Sequence, residues 1–500
     1  MEYKNPIINS DYSDPDVIYH KGSYYLVSSS FTSTPGLPIL KSKNLVDWKI
    51  LRYVYKNLPF DKYDRVLHGR GAWAPSIRYH NNMFYIIVPF YGDGIYIYRT
   101  DDIESGEFVV NKLIDNPGVI DPCPIWVYDK CYLVVGFAKS KCGFNSVLGL
   151  YEVSADLYNN ISGDYKIIFD GHDTQPTIEG PKFYYKNKYF YILAPAGSVK
   201  SGWQVALRSK NIYGPYEQKI VLLSNDRLDI NGPHQGGMVK AGKKDAFIHF
   251  QDKGPFGRVC HLEPITWHDN WPLMGDVKDL SLAGSPCYSH EYLINKKSNY
   301  KIQVQDNFKS DKLSLMWQCP ANIKDNWYSF DSGMILNHTY YKEALGHLDL
   351  LPNSFLTKLY YSDFKVKCKF EFEFIDSNSE FGIVLMGSNF ASLKLVKKDD
   401  GIHIVLFKGS FLEEEEIIKD ILYDKNSIVL TIRYFKDNTY QLGYNNTYFS
   451  DIFIATPGRW IGAKYGFYRR GISSFSQNMV KVKYFKVVDY ASKWWIYIRY

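Results

Sequence analysis

The chain has 500 residues, enough for more than one domain. It is 45% hydrophobic and 17% aromatic, with 43 Tyr and 11 Trp, a composition suited to strands and to surfaces that stack sugars. The net charge of +6, without a dense Lys/Arg tract, argues against nucleic acid or an anionic membrane as partner.

The N-terminal stretch MEYKNPIINS lacks the basic and apolar segments of a signal peptide, and no apolar run reaches bilayer length. The seven cysteines are scattered, with no CxxC pair and no ligand cluster, so they read as free thiols. A soluble, cytoplasmic protein is the expectation.

The first strand–turn–strand pattern is DVIYHKGSYYLVSSS, 16–30. It returns as PSIRYHNNMFYIIVPFY (75–91), PCPIWVYDKCYLVVGFA (122–138), GPKFYYKNKYFYILAPAG (180–197) and GGMVKAGKKDAFIHFQD (236–252). Each copy is followed by a second two-part segment, such as ILKSKNLVDWKIL (39–51) or VALRSKNIYGPYEQ (205–218). Five copies of a four-stranded unit, spaced like propeller blades, predict a five-bladed β-propeller over residues 1–295.

The innermost strand of each blade lines the central channel, so residues just before it sit at the channel mouth. These are Ser13-Asp14-Pro15, Trp73-Ala74-Pro75, Asp121-Pro122, Glu179-Gly180-Pro181 and His234-Gln235-Gly236. Turn chemistry alone accounts for the Pro and Gly but not for acids and aromatics recurring there. Pseudo-symmetry would gather Asp14, Trp73, Asp121, Glu179 and His234 into one pocket, at equivalent positions. Two carboxyls across such a pocket suit glycoside cleavage, one protonating the leaving oxygen and the other activating water. A third would raise the acid's pKa by like-charge repulsion. Trp73 would offer a face to a sugar ring. His234 could bond a sugar hydroxyl or a metal-bound water, but no ligand cluster accompanies it.

From about residue 305 the texture changes. DFKVKCKFEFEFI, 363–375, alternates strictly, with Phe364, Val366, Cys368, Phe370, Phe372 and Phe374 on one face. Several further strands follow at short spacing, so residues 305–500 read as a β-sandwich with little helix. The acidic run Glu413–Glu416 reads as a solvated turn. The terminal KWWIYIRY, 493–500, reads as a buried last strand.

The stretches NPIINSDYSDPDVIY, GRGAWAPSIRYHNNMFYI, GVIDPCPIW, TIEGPKFYYKNKYFYILAP, NGPHQGGMV and HFQDKGPFGRVCHLEP, in this order, resemble glycoside hydrolase family 43, the β-xylosidases and α-L-arabinofuranosidases. The resemblance implies Asp14 as general base, Asp121 as the acid that modulates pKa and orients its partner, and Glu179 as general acid. It implies no catalytic part for Asp16, and sugar contacts for Arg258, Phe31 and Trp73. His234 resembles a channel histidine that in some relatives lies beside calcium. The resemblance therefore requires no cofactor but allows a structural calcium near His234. The family inverts configuration, which needs base and acid carboxyls roughly 6.5–9.5 Å apart. The second half resembles the concanavalin-like sandwich that narrows the pocket mouth in many relatives. One departure stands out: Thr32-Ser33-Thr34 lies between Phe31 and Pro35-Gly36 where the family often carries a bulky aromatic.

The expectation is an exo-acting inverting glycosidase that releases xylose or arabinose from short oligosaccharides. The alternatives are a non-catalytic sugar-binding propeller and a protein-binding propeller. The partner is a small oligosaccharide, and a sandwich face is available for self-association.

Overall fold

Residues 16–274 form five antiparallel sheets of four strands, each built from consecutive strands. The structure, a computed structural model, describes residues 2–224 and 231–490. The first blade runs through Asp16–His20, Ser23–Val27, Gly36–Ser42 and Trp48–Tyr55. The other four begin with the channel strands Ser76–His80, Val119–Val127, Lys182–Lys186 and Gly236–Ala241. The first hairpins of three blades turn at Lys21-Gly22, Asn81-Asn82 and Asn187-Lys188, all at positive φ. Two successive residues at positive φ give a turn whose twist matches the flanking strands.

The N-terminal stretch closes the ring. Ile8 exchanges two backbone hydrogen bonds with Cys260, on the third strand of the last blade. The Asn5 side chain bonds both the N–H and the carbonyl of Leu262. The chain is thus pinned to blade five before it enters blade one, which places Asp14 at the seam.

Below the mouth the channel is filled by polar side chains that satisfy one another. Asp16 accepts from Arg78 Nη1 at 2.6 Å and from Ile77 N at 3.0 Å. Lys182, fully buried, donates to Ser76 Oγ at 2.8 Å and to the Pro75 carbonyl at 3.2 Å. A Cβ on Gly237 would fall 2.3 Å from Asp16 Oδ1, so only glycine leaves room for that carboxylate. Asp16 therefore ties blades one and two together.

The second half is a sandwich of an eight-stranded and a six-stranded sheet. Strand Phe364–Glu373 alternates buried and half-buried positions along its length, and its phenylalanines join the core with Phe381, Leu393, Leu406 and Phe467. Helix is limited to short 3-10 turns such as Asp325–Trp327. The acidic run departs from expectation. Glu413, Glu414 and Glu416 are exposed, but Glu415 reaches the buried Arg470, with Nη2 to Oε2 at 2.8 Å. KWWIYIRY lies outside the described residues. Among the described residues, no helix is long and apolar enough to cross a membrane, and all seven cysteines are free.

Sandwich and propeller pack together. Thr34 exchanges backbone bonds with Cys319, and Lys464 Nζ donates to Ser33 Oγ at 2.6 Å. Lys358 Nζ donates to the Asp11 carbonyl at 2.5 Å. The loop 457–463 lies against blade five, where Ala463 N donates to Pro255 O at 2.7 Å. The Thr32-Ser33-Thr34 segment thus faces the sandwich.

Candidate active site

The strand pairings define which mouth residues are equivalent. Asp16 pairs with Val27, Ser76 with Ile87, Cys123 with Val134, Lys182 with Leu193 and Gly237 with Ile248. Counting back, Asp14, Ala74, Asp121, Gly180 and Gln235 share one level. Ser13, Trp73, Ile120, Glu179 and His234 share the next level out. Trp73, Glu179 and His234 each donate a backbone N–H to the second strand of their own blade, at Pro89, Pro195 and Phe250. The single equivalent position expected for all five residues is therefore corrected to two adjacent levels. Asp14 and Asp121 occupy one, and Glu179, Trp73 and His234 the other.

The backbone conformation follows these levels. Asp14 and Asp121 both have φ of 53°, and Gly180 has 56°. Aspartate tolerates this left-handed region better than most residues, and glycine enters it without strain. A Cβ at Gly180 would also meet the Gln235 side chain at 2.6 Å. Each left-handed residue turns the chain sharply into a channel strand and aims a neighbouring side chain at the mouth.

Six sequence-derived residues, Asp14, Phe31, Trp73, Asp121, Glu179 and Arg258, line one pocket of about 540 Å³. His234 sits beside it, its Nε2 3.5 Å from Glu179 Oε1. Asp14 accepts from Ser29 Oγ at 2.6 Å and from Arg258 Nη1 at 3.2 Å. Ser29 is itself fixed by the Ala74 N–H, 2.7 Å from its Oγ. Asp121 Oδ2 accepts from Gly180 N at 2.8 Å. Phe31 and Trp73 make a tilted aromatic pair at 6.3 Å, and Trp73 stacks on Tyr91 at 4.5 Å.

The electrostatics separate the three carboxyls. Burial, then the charges of Asp121 and Asp14, push Glu179 up to about 8. Some 37% of its side chain faces the pocket, so it is desolvated yet reachable. Burial and the Asp14 charge push Asp121 up to about 7, against the Gly180 N–H and the Lys182 and Arg258 cations. Asp14 keeps the guanidinium and a hydroxyl as direct partners. The arrangement offers one carboxyl paired with a guanidinium and one held protonated, the division that acid–base cleavage requires.

His234 is held neutral, its pKa lowered to about 3 by burial and by the Arg258 and His249 charges. Among the described residues no three His, Cys, Asp or Glu side chains converge to hold a metal. Calcium takes six to eight oxygens, and one imidazole beside one carboxylate does not fit a side-chain-ligated ion.

The aromatic that the sandwich contributes to the pocket escaped the sequence reading. Trp460, on the sandwich loop at φ of 66°, lines the pocket and stays 49% exposed. Its ring centre lies 5.9 Å from the Arg258 guanidinium. It comes from a part of the chain with no repeat, so no register argument could reach it. An aromatic therefore enters the pocket wall from the sandwich, while 32–34 carries none.

Residues 3–272 match the model of glycosyl hydrolases family 43, and residues 305–488 that of the beta xylosidase C-terminal concanavalin A-like domain. A Xylanibacter ruminicola protein whose name carries beta-xylosidase is 32% identical over 425 residues, 82% of this chain and 77% of that one. A Bacteroides ovatus protein named a non-reducing end alpha-L-arabinofuranosidase is 28% identical over 354 residues, 65% of this chain and 63% of its own length. The crystal structure of a Bacillus licheniformis family 43 protein, a mutant form, superposes with a TM-score of 0.85 at 20% identity, covering 98% of this chain and all of that one. This last likeness is one of fold: the same propeller carries the same type of sandwich. With a family model over more than half of its length and the three carboxyls at the channel mouth, the chain belongs to glycosyl hydrolases family 43.

Proposed function

We propose that this chain is an exo-acting, inverting glycosidase that cleaves a terminal β-D-xylopyranosyl or α-L-arabinofuranosyl unit from short oligosaccharides, releasing xylose or arabinose. Residues 1–295 are the catalytic unit in this reading and 305–500 the sandwich that borders its pocket. The observation that carries it is the electrostatic split between Asp14, paired with Arg258, and Glu179, pushed up to about 8.

Glu179 is the general acid. Near neutral pH it is protonated and donates to the leaving glycosidic oxygen, becoming a carboxylate. Asp14 is the general base, taking a proton from the water that attacks the anomeric carbon from the opposite face. One displacement then gives an inverted product. Asp121 positions Glu179 through the Gly180 N–H and supplies part of the charge that keeps it protonated. Ser29 and Arg258 orient Asp14. Phe31 and Trp73 wall the terminal sugar. The polar ring from Asp16 to Lys182 closes the channel beneath the carboxyls, so a chain end fits better than a chain middle.

The test is hydrolysis of p-nitrophenyl β-D-xylopyranoside and p-nitrophenyl α-L-arabinofuranoside in parallel, with Asp14→Asn as control. Turnover of either, lost in the variant while the protein stays folded, is the expected result. A folded chain silent on both glycosides and on xylobiose overturns the reading and favours the sugar-binding alternative.

A further inference from the structure

The pocket floor is acidic, but its rim is not. Lys139 and Lys200 line the opening from blades three and four. Tyr91, stacked on Trp73, carries the Arg70 guanidinium 5.1 Å and the Lys141 ammonium 4.9 Å from its ring centre. Arg459 stands next to Trp460 on the sandwich side, lining the neighbouring clefts. All five cations are exposed. Among the described residues none of the five has a carboxylate within ion-pair distance. Rim carboxylates do exist but are engaged elsewhere. Asp93 pairs with Lys62, and Asp252 accepts from Gly254 N.

Such a ring needs a counterpart. Some surface lysines on this chain have one, as Lys130 does with Glu152 and Lys324 with Asp64. Nor does the ring serve to neutralise the floor. Asp14 already has Arg258, Asp121 has Lys182 nearby, and Glu179 is held protonated. Lys139 and Lys200 thus line the opening itself, while Arg70 and Lys141 flank it at Tyr91 and Arg459 beside Trp460.

We infer that the rim recognises an anionic substituent, a uronic acid carried on the leaving-group side of the pentose oligosaccharide. This deepens the glycosidase reading and rests on it for the position of the terminal sugar. With that sugar against Phe31 and Trp73, the next units pass Tyr91, where a carboxylate meets Arg70 and Lys141. An exposed ion pair changes affinity by roughly 1.5- to 5-fold and is screened by salt. Two or three such contacts give a preference that is measurable and salt-sensitive.

The experiment compares two probes of equal size: a xylotriose bearing a glucuronosyl branch near its reducing end, and the same glycan with the carboxyl reduced to the alcohol. Dissociation constants are measured on the Asp14→Asn chain, and kcat/KM on the unaltered one. The acidic probe should bind about 3- to 10-fold more tightly at low ionic strength. That preference should vanish near 0.5 M salt and fall at least twofold in Arg70→Gln/Lys141→Gln. Affinity for the reduced probe in that double variant shows whether the pocket is still formed. Equal affinities, a preference for the reduced probe, or a preference indifferent to salt and to the double variant overturns the inference. Absence of turnover on both probes and on the aryl glycosides overturns the glycosidase reading instead, and the dissociation constants still decide the rim.

Discussion

The propeller and the sandwich are both antiparallel β-structures, yet they hold their parts together differently. In the propeller every four-stranded blade is one contiguous stretch of chain, and remote pairings join the N-terminal stretch to the end of the propeller, Ile8 to Cys260 and Glu2–Lys4 to Ser289–Glu291. In the sandwich, neighbours in a sheet are far apart in sequence: strand Phe364–Glu373 lies between Met479–Asp489 and Ser427–Tyr434. The propeller's polar channel ring and acidic mouth leave its core divided among blades. The sandwich has one large apolar core that also takes in Phe256 and Val259 of blade five. The difference teaches where function and stability reside. Both regions bury charge, the sandwich with Arg470 between Glu380 and Glu415, but only the propeller's buried acids open on a pocket, and it carries the chemistry. The sandwich carries packing and lends the pocket one loop.

The largest expected effect breaks the propeller's chemistry alone. Glu179→Gln should lower kcat on a poor leaving group by about 10²- to 10⁴-fold. In the unaltered enzyme the alkaline limb of the pH–rate profile should fall near the pKa of about 8 that burial gives Glu179. In the variant that limb should be gone. A retained rate with an unchanged profile would remove Glu179 from the role of acid. The converse substitution is Phe370→Ala. It should cost about 3–5 kcal/mol, as for other buried phenylalanines, because its ring packs on Phe381 and Phe467 in the sandwich core. Denaturant unfolding should record that loss, with kcat per folded molecule unchanged. A kcat that fell with stability would show the two regions to be one functional unit.

How much of this was legible depended on repetition. The blades were readable because each hairpin states its turn and its channel strand together, as at Lys21-Gly22 and Asn81-Asn82. The three acids were readable for the same reason, but their level was not. The stretch before each channel strand names the acids without fixing their register, which leaves Glu179 at the same level as Asp14. The strand pairings put Gly180 there instead, because the common element is the left-handed residue before proline. Trp460 was illegible because its place follows from how loop 457–463 packs on Pro255 and Gly257, a contact between segments some two hundred residues apart. Glu415 was misread for a related reason. Its neighbours are solvated, and only the fold brings Arg470 to it.

Trp460 sharpens the comparison at the one place where the sandwich enters the pocket. Trp460→Ala should reduce kcat/KM on oligosaccharides by about 5- to 10-fold, on the order of the ~0.5–1.5 kcal/mol that an aromatic contact adds beyond its burial. The aryl pentosides, which leave less of themselves at the rim, should lose less. Melting temperature should hardly move, because the ring is half-exposed. Equal losses on both substrate types would place Trp460 against the terminal sugar rather than the leaving group.

The smallest effect concerns the seam itself. Lys464 is buried between sandwich and propeller, bonded to Ser33 Oγ, and burial with the nearby Lys358 charge lowers its pKa to about 7. The unfolded chain holds that proton up to the ordinary lysine value of 10.5. Between these values the unfolded state binds more protons than the folded one, so stability should rise with pH across this window. Below pH 7 the folded state must carry the buried charge, and the contribution is lost. Lys464→Met removes the titration and keeps most of the volume. Its melting temperature relative to the unaltered chain should be highest near pH 6 and should decline by a few degrees towards pH 9. Parallel melting curves, offset equally at every pH, would mean that Lys464 keeps the same protonation state in both forms. The seam would then be a packed contact like the sandwich core, and not an extension of the propeller's buried charge.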